Sequence, residues 1–169
     1  MSILFRDATV ADAPILAGLF ATCFTDTFGH LYDPADLKLF LDACSADAWT
    51  SELSDPGYAA RIAEESGEAI GYAKLGPPKL PFEPRGKAAE LRQLYVLKPW
   101  HGAGVARELI DWIIATARER GADHLYLSVF IDNHRARRFY EKLGFVAEGS
   151  YAFMVGTHAD EDIVMRLAL

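Results

Sequence analysis

Three groups of residues in this chain have types and spacings that suit chemistry. The first is His101-Gly102-Ala103-Gly104-Val105-Ala106-Arg107, which follows a strand-like run (Leu91, Leu94, Tyr95, Val96) and a break at Pro99. Gly102 and Gly104 lack a Cβ, so the backbone there can turn tightly and approach a ligand closely. The first N–H groups of a following helix have no partners within it and favour an anion. The second group, Asn133 to Phe145, lies one strand later and reads Asn-His-Arg-Ala-Arg-Arg-Phe-Tyr-Glu-Lys-Leu-Gly-Phe. Its Asn133 amide can both donate and accept, and Arg135, Arg138 and Lys142 fall along one helix side, suited to a phosphate or to solvent. The third is the aromatic-rich stretch Phe24-Thr25-Asp26-Thr27-Phe28-Gly29-His30-Leu31-Tyr32. The histidines are scattered, with no HExxH or Cys/His pairing, so no metal site is expected. Ser, Cys and His form no nucleophile arrangement.

A strand feeding a Gly-rich turn suggests a phosphate-bearing cofactor, and three readings of the turn compete. A dinucleotide-binding turn needs G-x-G-x-x-G, but Arg107 stands where the third glycine packs helix on strand. The P-loop pattern G-x-x-x-x-G-K-[ST] is absent. The turn can also be the plain start of a helix.

The two motifs together resemble the Gcn5-related N-acetyltransferase superfamily. His101-Gly102-Ala103-Gly104-Val105-Ala106 is similar to its Q/R-x-x-G-x-G/A signature, departing at the first place with His101. Asn133-x-x-Ala136-x-x-Phe139-Tyr140-Glu141-Lys142-Leu143-Gly144-Phe145 is similar to its second. The resemblance covers residues 88–168 and touches Arg6-Asp7-Ala8-Thr9…Asp12. Within the superfamily, Glu90-Leu91-x-x-Leu94-Tyr95-Val96-Leu97, Trp100-His101-Gly102 and Phe153-Met154-Val155-Gly156…Asp162 look like the bacterial PaiA-type group, which acetylates polyamines and related small amines.

The resemblance implies acetyl-CoA as acetyl donor, with CoA as product. Backbone N–H groups from Gly102 through Ala103, Gly104, Val105 and Ala106 to Arg107 would cradle the pyrophosphate, with His101 beside them. Each charge-assisted bond would contribute roughly 1.5–3 kcal/mol. Pantetheine would pair with the backbone of Leu94 and Val96 around Tyr95, where adjacent strands part. Asn133, Ala136, Tyr140 and Lys142 complete the implied cofactor contacts. The acceptor amine must be neutral to attack a thioester. At pKa ~10.4, deprotonation at pH 7 costs about 4.6 kcal/mol. Glu90 is the implied general base, acting through water; Asp162 and the acids of residues 26–55 are further candidates. Tyr140 matches the family's general-acid tyrosine. A phenol of pKa ~10 is a weak acid toward a thiolate of pKa ~8.5, so a hydrogen bond to the leaving sulfur carries much of its effect. Phe24, Phe28, His30 and Tyr32 are the expected lining of the acceptor cleft, against a packing role for some of them. The expected activity is acetyl transfer to a primary amine of a small cationic, polyamine-like substrate. The alternatives are a peptide or protein N-terminus, or a non-catalytic acyl-CoA-binding regulator.

The elements that must hold these groups follow from periodicity. Ile3–Arg6 predicts a strand. Thr9 or Asp12 caps a helix with Pro14 in its first turn, whose buried face is Ile15, Leu16, Leu19, Phe20 and Cys23. A second helix starts at Asp33 or Asp36, and a third covers Ala46–Leu53. Tyr58–Ala63 and Ala69–Leu75 predict a hairpin, and the prolines between Gly76 and Lys87 predict a loop. A helix over Gly102–Arg120 joins Leu91–Val96 to His124–Ile131 as parallel neighbours. A further helix from Asp132 or Asn133 is closed by Leu143-Gly144, and Phe145–Val155 and Ile163–Leu167 predict the last strands. The fold class is α/β, a central mixed, mostly antiparallel sheet of six to seven strands with helices on both faces.

At 169 residues the chain predicts one domain. A net charge of −7 argues against a nucleic-acid partner. Residues 26–55 hold seven acids against Lys38 alone, either a solvated helix surface or a mouth that attracts cations. No apolar run approaches the ~20 residues of a membrane span, and the opening residues lack a signal-peptide pattern. Cys23 and Cys44 make no ligand-like spacing, so a cytoplasmic protein is expected. Sheet edges leave room for a homodimer.

Overall fold

The computed structural model describes residues 2–169. All seven strands join one sheet: β1 (Ile3–Asp7), β2 (Ala59–Glu65), β3 (Glu68–Gly76), β4 (Ala88–Val96), β5 (His124–Phe130), β6 (Val146–Val155) and β7 (His158–Ala168). Their order is β1-β2-β3-β4-β5-β7-β6. Every neighbouring pair is antiparallel except β4 and β5, as the intervening helix requires.

One face carries α1 (Ala13–Phe28), α2 (Pro34–Ala43) and α3 (Ala46–Ser54). There Leu16, Phe20, Phe24 and Trp49 pack with Ile62 and Tyr72 of the sheet. The other face carries α4 (Val105–Glu119) and α5 (His134–Lys142). Leu109, Ile110 and Ile113 close over Ile70, Leu75, Leu91 and Leu125, the amphipathic pattern of a helix laid on a sheet.

Several boundaries move for identifiable reasons. Ile15, expected in the buried face of α1, is 49% exposed; Ala13 is buried instead. α4 starts at Val105 rather than Gly102, because its N-cap Gly104 has φ 84, a conformation that cannot continue a helix. β2 and β3 extend to a tight turn at Ser66 and Gly67, both at positive φ, as short hairpin loops favour. β7 begins five residues before the expected Ile163, at His158, through a tight turn at Gly156 (φ 58).

Two features shape the centre of the sheet. β4 pairs with β5 only from Ala88 to Glu90, opposite His124 to Tyr126. Beyond that point β4 stays with β3 and β5 with β7, so the two strands part and open a wedge. A bulge opposite Lys74 and Leu75 places one extra residue, Arg92, in β4, and such bulges re-aim neighbouring side chains.

Candidate active site

Two cavities fill the wedge and meet inside it. One, of about 370 Å³, is walled by the 101–107 turn, the end of β4 and the face of α5. Gly102 and Gly104 both sit at positive φ with nothing near the position a Cβ would occupy, so the turn is open toward a ligand. The first helical bond of α4 runs from Glu108 N–H to the Gly104 carbonyl at 3.2 Å. The amides of Val105, Ala106 and Arg107 therefore precede the helical ladder and are free for an anion. Leu94, Tyr95, Val96, His101, Asn133, Ala136 and Tyr140 complete this wall together with Phe139 and Arg135. Of the expected donor-site residues, Ala103 and Lys142 do not line it; Lys142 is exposed on α5. This wall fits acetyl-CoA: an anion cradle at one end, and at the other a strand edge with no neighbour to satisfy its backbone.

His101 has a more defined place than its departure from the signature suggests. Its Nε2–H donates to the Val96 carbonyl at 2.7 Å, which leaves Nδ1 to accept from Arg135 Nη1 at 2.8 Å. The ring ties the end of β4 to the first turn of α5. Asn133 caps α5, its Oδ1 accepting from Ala136 N–H at 3.3 Å, while its NH2 has no partner among the described residues.

The second cavity, of about 310 Å³, lies on the α1–α2 side. It shares Phe28, Leu94, Tyr95, Asn133, Ala136 and Tyr140 with the first. Tyr140 thus stands where the two cavities join. Its ring packs on Phe139 and Phe145, and burial pushes its hydroxyl well above the ordinary phenol range. That hydroxyl has no protein partner among the described residues, so it suits hydrogen-bond donation rather than outright proton release.

An aromatic wall bounds the acceptor side. Phe24 stacks on Tyr32 (5.9 Å, 6°) and touches Phe28 and Phe40, and Phe40 meets Phe153. Phe24, Phe28 and Tyr32 line the cavity as expected from the sequence; His30 is exposed and lines neither cavity. Phe40 and Phe153 were not anticipated.

The carboxylates are distributed differently from the sequence expectation. Glu90 is only 6% exposed and lines neither cavity. Its Oε1 accepts from Lys79 N–H at 3.0 Å and its Oε2 from Arg92 Nη1 at 2.9 Å. Burial raises its pKa, opposed by Arg92 and the Lys79 amide. The acids of residues 26–55 mostly serve the fold. Asp36 accepts from the Thr157 amide and hydroxyl, Asp42 pairs with Lys38, and Asp55 accepts from Gly57 N–H. Only Glu52 reaches the cavity, bound to buried Lys74 at 3.0 Å.

The free acids come from β7. Asp160 and Asp162, 8% and 6% exposed, both line the acceptor cavity, while Glu161 between them is exposed. Asp160 is held by Tyr32 Oη–H and by His158 Nε2 at 3.1 Å. Asp162 has no partner among the described residues, and burial, then Asp160, pushes its carboxyl up to about 7. The signal in the sequence was the alternation Asp160-Glu161-Asp162-Ile163-Val164, which puts both aspartates on one face of a strand.

With the geometry in place, comparison with known proteins gives the family. Residues 17–145 match the acetyltransferase (GNAT) family. An uncharacterized N-acetyltransferase of Mycobacterium tuberculosis is 35% identical over 157 residues, covering 92% of this chain and 97% of that protein. The aminoalkylphosphonate N-acetyltransferase of Salmonella typhimurium is 30% identical over 99 residues, 59% of this chain and 64% of that one. The PaiA N-acetyltransferase of Thermoplasma acidophilum, solved with coenzyme A, superposes with a TM-score of 0.80 at 19% identity, over 100% of both chains. Among the described residues no helix is long and apolar enough to cross a membrane. The chain belongs to the GNAT family and is an N-acetyltransferase whose acetyl donor is acetyl-CoA.

Proposed function

We propose that this enzyme transfers the acetyl group of acetyl-CoA directly to the primary amine of a small cationic, polyamine-like molecule. The observation that carries this reading is the pair Asp160 and Asp162, buried acids that among the described residues no lysine or arginine pairs with, in a cavity that meets the donor cavity at Tyr140. Buried acids that no lysine or arginine neutralises draw an ammonium ion, and the Phe24–Phe28–Tyr32–Phe40 wall offers ring faces to the same charge. A relative that acts on aminoalkylphosphonates supports a small-molecule amine.

Acetyl-CoA, when bound, supplies the acetyl thioester. Gly102, Gly104 and the amides of residues 105–107 would hold its pyrophosphate, the side of β4 from Leu94 to Val96 that β5 has left would orient its arm, and the Asn133 NH2 would serve a carbonyl of it. Tyr140 donates a hydrogen bond at the leaving sulfur. The reading places the enzyme in the reducing cytoplasm, where the free thiols of Cys23 and Cys44 persist.

The test is thiol release from acetyl-CoA over a panel of spermidine, an aromatic amine and a short peptide, with the product identified by mass. Turnover of spermidine above the others is expected. Preference for the peptide would replace the acceptor class. Acetyl-CoA binding without turnover on any amine would make the protein a binder only.

A further inference from the structure

The geometry points to Asp162, not Glu90, as the group that takes the proton from the acceptor amine, with Asp160 beside it on the same face of β7. This rests on the acetyltransferase reading above and deepens it.

A general base must reach the proton it removes. Glu90 does not face either cavity, and both its oxygens are engaged, by the Lys79 amide and by Arg92. Neither oxygen is therefore free to reach a proton in the acceptor cavity. Asp162 lines the acceptor cavity, is 94% buried on the 6% exposure it retains, and has no hydrogen-bond partner among the described residues. Its backbone pairs with Phe130 at the far end of β5, on the diverging side of the wedge where Tyr140 also stands.

Among the described residues no basic side chain pairs with Asp162 itself. Asp160 neighbours it on β7, Tyr32 comes from the segment after α1, and Tyr95 from β4, both of whose hydroxyls sense the Asp162 charge. Tyr140 of α5 shares the cavity. His158 faces Asp160, Lys74 and Arg92 are engaged with Glu52 and Glu90, and Lys79 also lines the cavity. Burial and the Asp160 charge both favour the protonated carboxyl, which brings Asp162 to about 7, close to the working value that suits a general base. Tyr32 and His158 hold Asp160 in place beside it.

The step balances without a further reactant. The bound ammonium gives one proton to Asp162, and the freed lone pair forms the C–N bond as the thioester C–S bond breaks. The nitrogen's second proton ends on the sulfur, while the Tyr140 hydroxyl hydrogen-bonds to that sulfur as it leaves. Asp162 then returns its proton to solvent, so the net products are amide, thiol and one proton.

The experiment is the pH dependence of kcat/KM for the best amine of the panel, in wild type, Asp162→Asn, Asp160→Asn and Glu90→Gln, together with an NMR titration of the Asp162 carboxyl in the ligand-free protein. In wild type, kcat/KM rises through about pH 7 as Asp162 ionises, and falls as the free amine loses its proton. Asp162→Asn lowers kcat/KM at pH 7 by about 10²–10⁴-fold and abolishes the limb near 7, leaving a rate that climbs toward the amine's own pKa. Asp160→Asn removes a like charge, so the limb and the NMR midpoint both move to lower pH, a shift that a merely structural role would not produce. Glu90→Gln keeps the limb in place. An acid limb that survives Asp162→Asn, a limb abolished by Glu90→Gln, or an Asp162 midpoint at an ordinary carboxylate value near 4 overturns the assignment while leaving the acetyltransferase reading intact. Wild-type protein that releases no thiol with any amine overturns both.

Discussion

Replacing Tyr140 with phenylalanine separates the hydroxyl from everything else the residue does. The ring fills a place between Phe139 and Phe145, with centroids 5.4 and 5.7 Å away, and a phenyl group keeps both contacts. The hydroxyl has no protein partner among the described residues, so its removal strands no buried donor or acceptor, and the melting temperature should hold or rise slightly. What is lost is one hydrogen bond to a sulfur that becomes anionic only as the C–S bond breaks. Bonds to charged groups contribute about 1.5–3 kcal/mol, equivalent to roughly 10- to 150-fold in rate. The loss belongs to kcat, because the interaction forms only in the transition state. Affinity for acetyl-CoA should stay within a factor of about 2, since the anion cradle and the β4 edge are untouched. Thiol release at saturating amine gives kcat, calorimetry gives the dissociation constant of CoA, and a thermal scan reports folding. A kcat within about 3-fold of wild type would refute the role of the hydroxyl. An equal loss in CoA affinity would show instead that Tyr140 acts by shaping the wall that the two cavities share.

Three further outcomes follow from the geometry. Gly104→Ala forces a left-handed residue at the α4 N-cap (φ 84) into open space, so it costs about 1–2 kcal/mol of stability and weakens CoA binding, both readable by calorimetry. Glu52→Gln leaves Lys74, 5% exposed beneath the Trp49 ring, without its only anionic partner among the described residues. It should destabilise at the lower end of the about 3–5 kcal/mol for a broken buried pair, and adding Lys74→Met should recover much of that loss in urea titrations. Asp12 is held at about 2 by its paired bonds to Arg6, aided by the Thr9 amide. A carboxyl depressed in the folded state stabilises above its unfolded value of ~4, and that contribution disappears as pH falls through about 2. Asp12→Asn should therefore cost about 1–2 kcal/mol at pH 7, allowing for partial solvent screening, and almost nothing near pH 2.

The donor half of the site was legible because it is local. A strand, a Gly-rich turn and a helix start lie within Leu91 to Arg107, and the capping asparagine and the tyrosine lie seven residues apart on one helix. Short-range backbone rules act on such stretches directly. The acceptor half depends on what arrives from afar. Phe153 and Asp160 meet α1 and α2 only because β6 and β7 fold back as a hairpin, with Asp36 of α2 accepting from Thr157 at its tip. No periodicity in residues 26–55 announces that Glu52 alone of its acids will face the cavity. His101 shows the same limit from the other direction. Its place in the motif was plain, but its role is fixed by the Val96 carbonyl and by Arg135, 34 positions later.

Glu90 is the instructive case, because the same residue type at the same strand position acquires a different character from its neighbour. Arg92 is the extra residue of the β4 bulge, and the ion pair it makes with Glu90 at 2.9 Å occupies an oxygen that would otherwise be free. Arg92 Nε is itself a fully enclosed side-chain nitrogen without a partner, so the pair is not a fully satisfied structural unit. A buried guanidinium that keeps an unmet donor is costly, and it persists here on the wall of the acceptor cavity. Glu90 pairs with that charge, while Asp160 and Asp162 line the same cavity with no lysine or arginine paired to them among the described residues. The cavity's acids without a lysine or arginine partner among the described residues are therefore both on β7, where Asp162 stands opposite Phe130 beyond the point at which β4 and β5 part. On the proposed function an ammonium ion is drawn to that side, and Tyr140, which lines both cavities, stands where they join.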